Sequence, residues 1–172
     1  MTNQSGDQLP TGTWRLDPER TAITATVKKL GFYGVAATMT LTEGTIEIDD
    51  DQRVTSGVTI DASSYTSKSS MRDRHVRGAK FLDADTHPEI NFETDVVEAG
   101  ADGWTATGTI ALKGSTSPME FEVRHVNVDG PTARFRAHAE IDRRAVGVDA
   151  TPAFVVANTI SVDIDAVAHS AL

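Results

Sequence analysis

The groups able to do acid–base or metal chemistry in this sequence are five histidines and 25 Asp and Glu, with no cysteine at all. Without cysteine there is no thiolate nucleophile, no thiolate metal site and no disulfide. A zinc site draws on closely spaced histidines or a histidine–carboxylate cluster, and His75, His87, His125, His138 and His169 each stand alone. Serine catalysis finds no G-x-S-x-G elbow around the Ser63-Ser64 or Ser69-Ser70 pairs. Asp61, Asp73, Asp83 and Asp85 have the right chemistry for an acid–base pair, but acidic residues at strand ends are ordinarily solvated charges. No glycine-rich phosphate loop is present. The densest polar cluster is Arg72-Asp73-Arg74-His75 with Arg77. It reads either as salt bridges pinning a helix to a wall, or as Arg72 and His75 at a cavity mouth, facing a ligand's polar headgroup. The expectation is a protein with no catalytic set, no metal and no cofactor.

Charge narrows the partners. Sixteen Lys and Arg against 25 Asp and Glu leave a net charge of -9, which repels phosphate backbones and anionic lipid. Nucleic acid is therefore not an expected partner. No run approaches 18 apolar residues, so no stable membrane insertion is expected. The opening MTNQSGDQLP has neither the basic nor the apolar region of a signal peptide. Residues 1–11 read as a flexible tail, residues 12–170 as a single domain, and the chain as cytoplasmic. A homodimer stays open.

The elements that must position any site are strands. Ile90, Phe92, Thr94 and Val96 alternate with polar neighbours, as do Trp104, Ala106, Gly108, Ile110 and Leu112. Met119, Phe121 and Val123 follow the same rule, and His125 continues their inward register. Phe135, Ala137, Ala139 and Ile141, then Ile160, Val162, Ile164 and Ala166, complete the pattern. A period of two puts one side chain inward and the next in water, which an antiparallel sheet does and a helix does not. Earlier strands are expected over residues 12–17, 21–28, 35–42, 45–49 and 54–61. About ten segments joined by hairpin-length turns describe an all-β fold: an up-and-down antiparallel barrel or a sandwich. Ten-residue strands tilted about 40° would make a barrel roughly 25 Å tall. Its interior is expected to carry Ile23, Val27, Phe32, Ile90, Phe92, Ile110, Leu112, Phe121, Val123, Phe135, Ile160 and Val162. Trp14 is expected to brace one end, with a partner for its indole N–H.

One stretch breaks the rhythm. SSMRDRHVRG, at residues 69–78, reads as a short helix with Ser70 and Asp73 as a capping box, Asp73 and Arg77 at i,i+4, and Gly78 just past its end. An excursion of about twenty residues, from 67 to 88, is longer than a hairpin needs and is expected to cover one mouth of the barrel. Met71, Val76, Phe81 and Leu82 would dock it.

Around this stretch the sequence resembles the YceI-like family of polyisoprenoid-binding, lipocalin-like proteins. The likeness is carried by Ile60-Asp61-Ala62-Ser63-Ser64, Arg72-Asp73-x-His75, Phe81-x-Asp83 and Pro88-x-Ile90-x-Phe92. Trp14-x-x-Asp17, Leu112-Lys113-Gly114-x-Thr116-x-Pro118 and Asp142-Arg143 with Val146-Gly147-Val148 extend it from Gly12 to His169. The chain departs at Arg20-Thr21, where the family commonly has His-Ser. It departs again at Lys29, in place of a histidine, and at Ala37-Thr38-Met39, in place of Gly-x-Phe. No role of those histidines carries over. The resemblance implies an extended lipocalin-like barrel with a lipophilic pore for an isoprenoid, an isoprenoid quinone or a fatty-acid-like lipid. Three readings follow: a non-catalytic carrier of a lipophilic small molecule, an enzyme acting on a bound isoprenoid through Arg72, Asp73 and His75, and a stress-related protein with a filled barrel.

Overall fold

Nine strands and one helix make up the computed structural model, which describes residues 9–29, 33–101, 103–148 and 156–171. The strands are β1 (Gly12–Leu16), β2 (Ala22–Lys29), β3 (Tyr33–Ile48), β4 (Val54–Thr66), β5 (Glu89–Ala99), β6 (Trp104–Leu112), β7 (Ser115–Asp129), β8 (Thr132–Asp142) and β9 (Val156–Ser170), with α1 (Ser70–Arg77) between β4 and β5. Every pairing is antiparallel. From β2 to β9 each strand pairs with the next, and β9 returns to β2, so the sheet closes on itself. Closure removes the free edges that an open sheet would expose.

β1 and β2 occupy one strand position between them. β1 pairs with the last residues of both β3 and β9, from Ile48 and from Ser170, while β2 pairs with the opposite halves of the same strands. The break falls at Asp17 to Thr21, where Pro18 has no amide to give a ladder. The Asp17 carbonyl accepts from the Thr21 amide (2.9 Å), and its carboxylate accepts from the Glu19 amide (3.0 Å). Asp17 and Thr21 both bond Val167 of β9, and His169 Nε2 sits 2.9 Å from Asp17 Oδ2. The barrel is thus an eight-strand cylinder with one kinked member.

Two expected strands, 35–42 and 45–49, are one. β3 runs 16 residues, and two register shifts against β4, at Thr38/Thr40 and Leu41/Glu43, disrupt the alternation that would have revealed its continuity. Gly44 lies under Leu16, where a Cβ would come within 2.6 Å of the leucine Cδ1.

Bulges also overturn two inward assignments. Between Thr94 and Val96 the β5–β6 register shifts, so Val96 is exposed and Val97 takes the inner face. Between Arg124 and Asn127 the β7–β8 register shifts, and His125 adopts φ +57°. His125 is consequently exposed, and Val126 faces inward in its place. An extra residue in one strand reverses the parity of everything beyond it, which a strict period of two does not anticipate.

Candidate functional site

The inward residues enclose two apolar chambers stacked along the barrel. The near chamber, at the α1 end, has a volume of about 340 Å³. Ile23, Val27, Ile60, Ile90, Ile110, Leu112, Met119, Ile160 and Val162 wall it, and Val76, Phe81 and Leu82 close it from the helix and the loop that follows. The far chamber, of about 300 Å³, is walled by Leu16, Ile46, Ile48, Val54, Val97, Trp104, Val123, Val126 and Phe135. Both volumes fall at the low end of small-molecule sites.

Phe92 and Phe121 are shared by the two chambers. Their rings meet edge to face at 88°, with centroids 4.5 Å apart. They project from β5 and β7, the neighbours of β6, whose inward residues between them include Ala106 and Gly108. Neither has the bulk to hold the rings apart.

Apart from Thr26 of β2, the polar side chains lining the near chamber lie toward its α1 end. Tyr65, Arg72 and His75 line it together with Arg143. Burial raises the Tyr65 phenol above its usual pKa, and the Asp73 carboxylate adds to the effect. The His75 ring tilts against Phe81, with centroids 5.2 Å apart. Arg143 is 2% exposed and donates from Nη1 to the Val148 carbonyl at 2.9 Å. In the far chamber the polar lining is the hydroxyl pair Ser56 and Thr94, 2.5 Å apart, with Gln52 at the rim.

The helix is held differently from the sequence expectation. Ser69, not Ser70, is the N-cap, accepting from the Arg72 amide at 3.3 Å. Asp73 therefore makes no capping box and reaches back to Ser67 instead. Arg77 does not turn to Asp73; its Nε donates to the Tyr65 carbonyl at 2.9 Å, tying the helix to β4. Gly78 closes the helix in extended conformation, φ -74°, with its amide on the His75 carbonyl. Met71 points into solvent, 75% exposed, so the docking side chains are Val76, Phe81 and Leu82 alone.

Of the residues expected inside, Ile23, Val27, Ile90, Ile110, Leu112, Ile160 and Val162 line the near chamber, Val123 and Phe135 the far one, and Phe92 and Phe121 both. Phe32 lies outside the described residues. Arg72 and His75 lie at the mouth of the near chamber. Trp14 is 2% exposed, and its Nε1 donates to the Pro10 carbonyl at 2.9 Å. Arg143 was missed as a lining residue although parity carries a signal for it: Phe135, Ala137, Ala139 and Ile141 point inward, and Arg143 comes next in the series. Among the described residues no three His, Asp or Glu side chains converge as metal ligands, and no helix is long and apolar enough to cross a membrane.

Comparison with known proteins accords with this architecture. A family model described as the YceI-like domain matches residues 14–168. A UPF0312 protein of Pectobacterium atrosepticum is 28% identical over 114 residues, 64% of this chain and 59% of that protein. A UPF0312 protein of Yersinia pestis is 29% identical over 98 residues, 56% of this chain and 51% of that protein. The chain thus matches little more than half the length of these curated relatives. Among solved structures, BcnA of Burkholderia cenocepacia superposes with a TM-score of 0.79 at 22% identity, covering 88% of this chain and 98% of that one. A polyisoprenoid binding domain from Saccharophagus degradans gives 0.71 at 14% identity, covering 91% and 98%.

Proposed function

Because this chain belongs to the YceI-like family, we propose that it is a non-catalytic carrier that holds one lipophilic molecule in its barrel, with the polar end at the α1 mouth. The observation that carries the reading is an interior walled by aliphatic and aromatic side chains whose charged groups gather at one end. Such a cavity favours an extended apolar tail over a polar substrate, since a buried polar group without a partner costs several kcal/mol. Arg72, His75 and Tyr65 offer donors to a hydroxyl, a quinone oxygen or a phosphate. The neighbour from Saccharophagus degradans, described as a polyisoprenoid binding domain, favours an isoprenoid or isoprenoid quinone over a fatty-acid-like chain.

Energetics suit transport. About 0.8 kcal/mol per buried methylene-sized group would bring a fully enclosed forty-carbon chain to about 30 kcal/mol, beyond the practical ceiling of about 18–21 kcal/mol. Ordering the chain and leaving part of it outside bring the net affinity down to a releasable range. Organic-solvent extraction of purified protein, followed by mass spectrometry, tests the reading. A near-stoichiometric isoprenoid or quinone is the expected result. A lipid-free extract, with no uptake of added isoprenoid quinone, overturns it, and turnover of the bound lipid would make the protein an enzyme instead.

A further inference from the structure

We infer that Phe92 and Phe121 form an internal gate that sets how long a chain the protein accepts, an inference resting on the lipid-carrier reading above. These two rings are what the near and far chambers have in common, and they touch edge to face over β6. The near chamber ends at these rings, and a tail long enough to reach them can extend further only into the far chamber. A short prenyl tail therefore stays within the near chamber with the gate shut. A longer tail has nowhere to go unless the rings part.

The direction of entry follows from the polar groups. Arg72, His75 and Tyr65 hold the headgroup at the α1 end, so the tail grows toward the rings and not away from them. Opening the gate breaks one edge-to-face contact, worth about one methylene's burial. The far chamber returns more than that as soon as one isoprene unit crosses. Length dependence is accordingly a step, not a slope, at the length that first carries the tail past the rings.

The far chamber carries its own reporter, since Trp104 lines it and Trp14 is buried in β1, two residues before Leu16 of the same wall. Tryptophan emission and affinity are measured with geraniol, farnesol and geranylgeraniol, the prenyl alcohols of two, three and four isoprene units. Geraniol is expected to bind without moving the emission. The longer alcohols are expected to shift it from the first length that crosses the rings, with affinity rising about tenfold or more at that same step. Phe121→Ala should let geraniol reach the far chamber and move the emission. Should that variant fail to fold, Ala137→Phe fills the far chamber instead, and farnesol and geranylgeraniol should then bind no better than geraniol. A smooth rise with length, or equal emission shifts for all three alcohols in the unsubstituted protein, overturns the gate and leaves the carrier reading standing. Length dependence that survives Ala137→Phe does the same. If none of the three binds, the gate falls together with the carrier reading.

Discussion

Asp73 accepts two hydrogen bonds from Ser67, one from the amide at 2.9 Å and one from the hydroxyl at 2.5 Å. The carboxylate sits on the buried side of α1, and the serine on the loop that leaves β4, so the pair folds the helix back over the barrel mouth. The densest polar cluster of the sequence thus divides by role. Asp73 and Arg77 fasten the helix to the loop and to the Tyr65 carbonyl, while Arg72 and His75 are left at the chamber mouth.

Acid should release this fastening. The Ser67 hydroxyl and amide, with the Arg77 and Arg72 charges behind them, hold the Asp73 carboxyl below its usual pKa despite its burial. A folded-state pKa below the unfolded one means the stabilisation is complete above the unfolded value, near pH 4, and disappears as pH falls through the folded value. The protection of the α1 amides against hydrogen exchange, relative to their intrinsic rate, should therefore fall below about pH 4 before that of the barrel amides. In Asp73→Asn the helix amides should exchange faster at neutral pH and lose most of that acid dependence. Unchanged exchange in the variant would refute the role.

Gly108 should tolerate no side chain. A Cβ there would collide with the backbone carbonyl of Glu93, just before the β5 bulge. Relief requires moving backbone, so Gly108→Ala is expected to lose about 3 kcal/mol or more, read from urea unfolding. A loss below about 1 kcal/mol would mean that the bulge yields easily.

How far the sequence foretold the site depends on the bulges. Where alternation runs unbroken, as from Phe135 to Ile141 and from Ile160 to Ala166, parity alone named the inner face correctly. Where one residue is inserted, as beyond Thr94 and Arg124, parity named Val96 and His125 in place of Val97 and Val126. A bulge is set by backbone pairing across two strands, and neither strand announces it by composition. The division of the cavity was equally illegible. Its two parts share Phe92 and Phe121, which meet over β6, a contact between residues 29 positions apart on strands that are not paired with each other. The covering helix was legible, because its polar run interrupts a period that continues on both sides.

Trp14 should be shielded from solvent. It is 2% exposed, and its indole N–H is already satisfied by the Pro10 carbonyl. With Trp104 replaced by Phe, acrylamide should quench the remaining emission weakly. Trp14→Ala should lose about 3–5 kcal/mol through the cavity it leaves. Strong quenching would show that the β1 end opens in solution.

The last expectation separates the headgroup role from a structural one. Arg72 makes a single side-chain hydrogen bond to Ser67 Oγ, at a long 3.4 Å, and His75 meets Phe81 only by a tilted ring contact. Neither carries a large share of the fold, so Arg72→Ala and His75→Ala should each cost under about 1 kcal/mol in stability. Both side chains line the near chamber's mouth, so losing either should speed release of a ligand whose polar end they hold. A charge-assisted hydrogen bond is worth about 1.5–3 kcal/mol, which for Arg72→Ala corresponds to retention about tenfold shorter or more. The measurement pairs a thermal melt with the dissociation rate of a bound isoprenoid quinone for each variant. Early melting with normal retention in both would reverse the assignment. Arg72 and His75 would then belong with Asp73 and Arg77 among the groups that hold α1 on the barrel, and the polar end of the ligand would have to be sought at Tyr65 and Arg143.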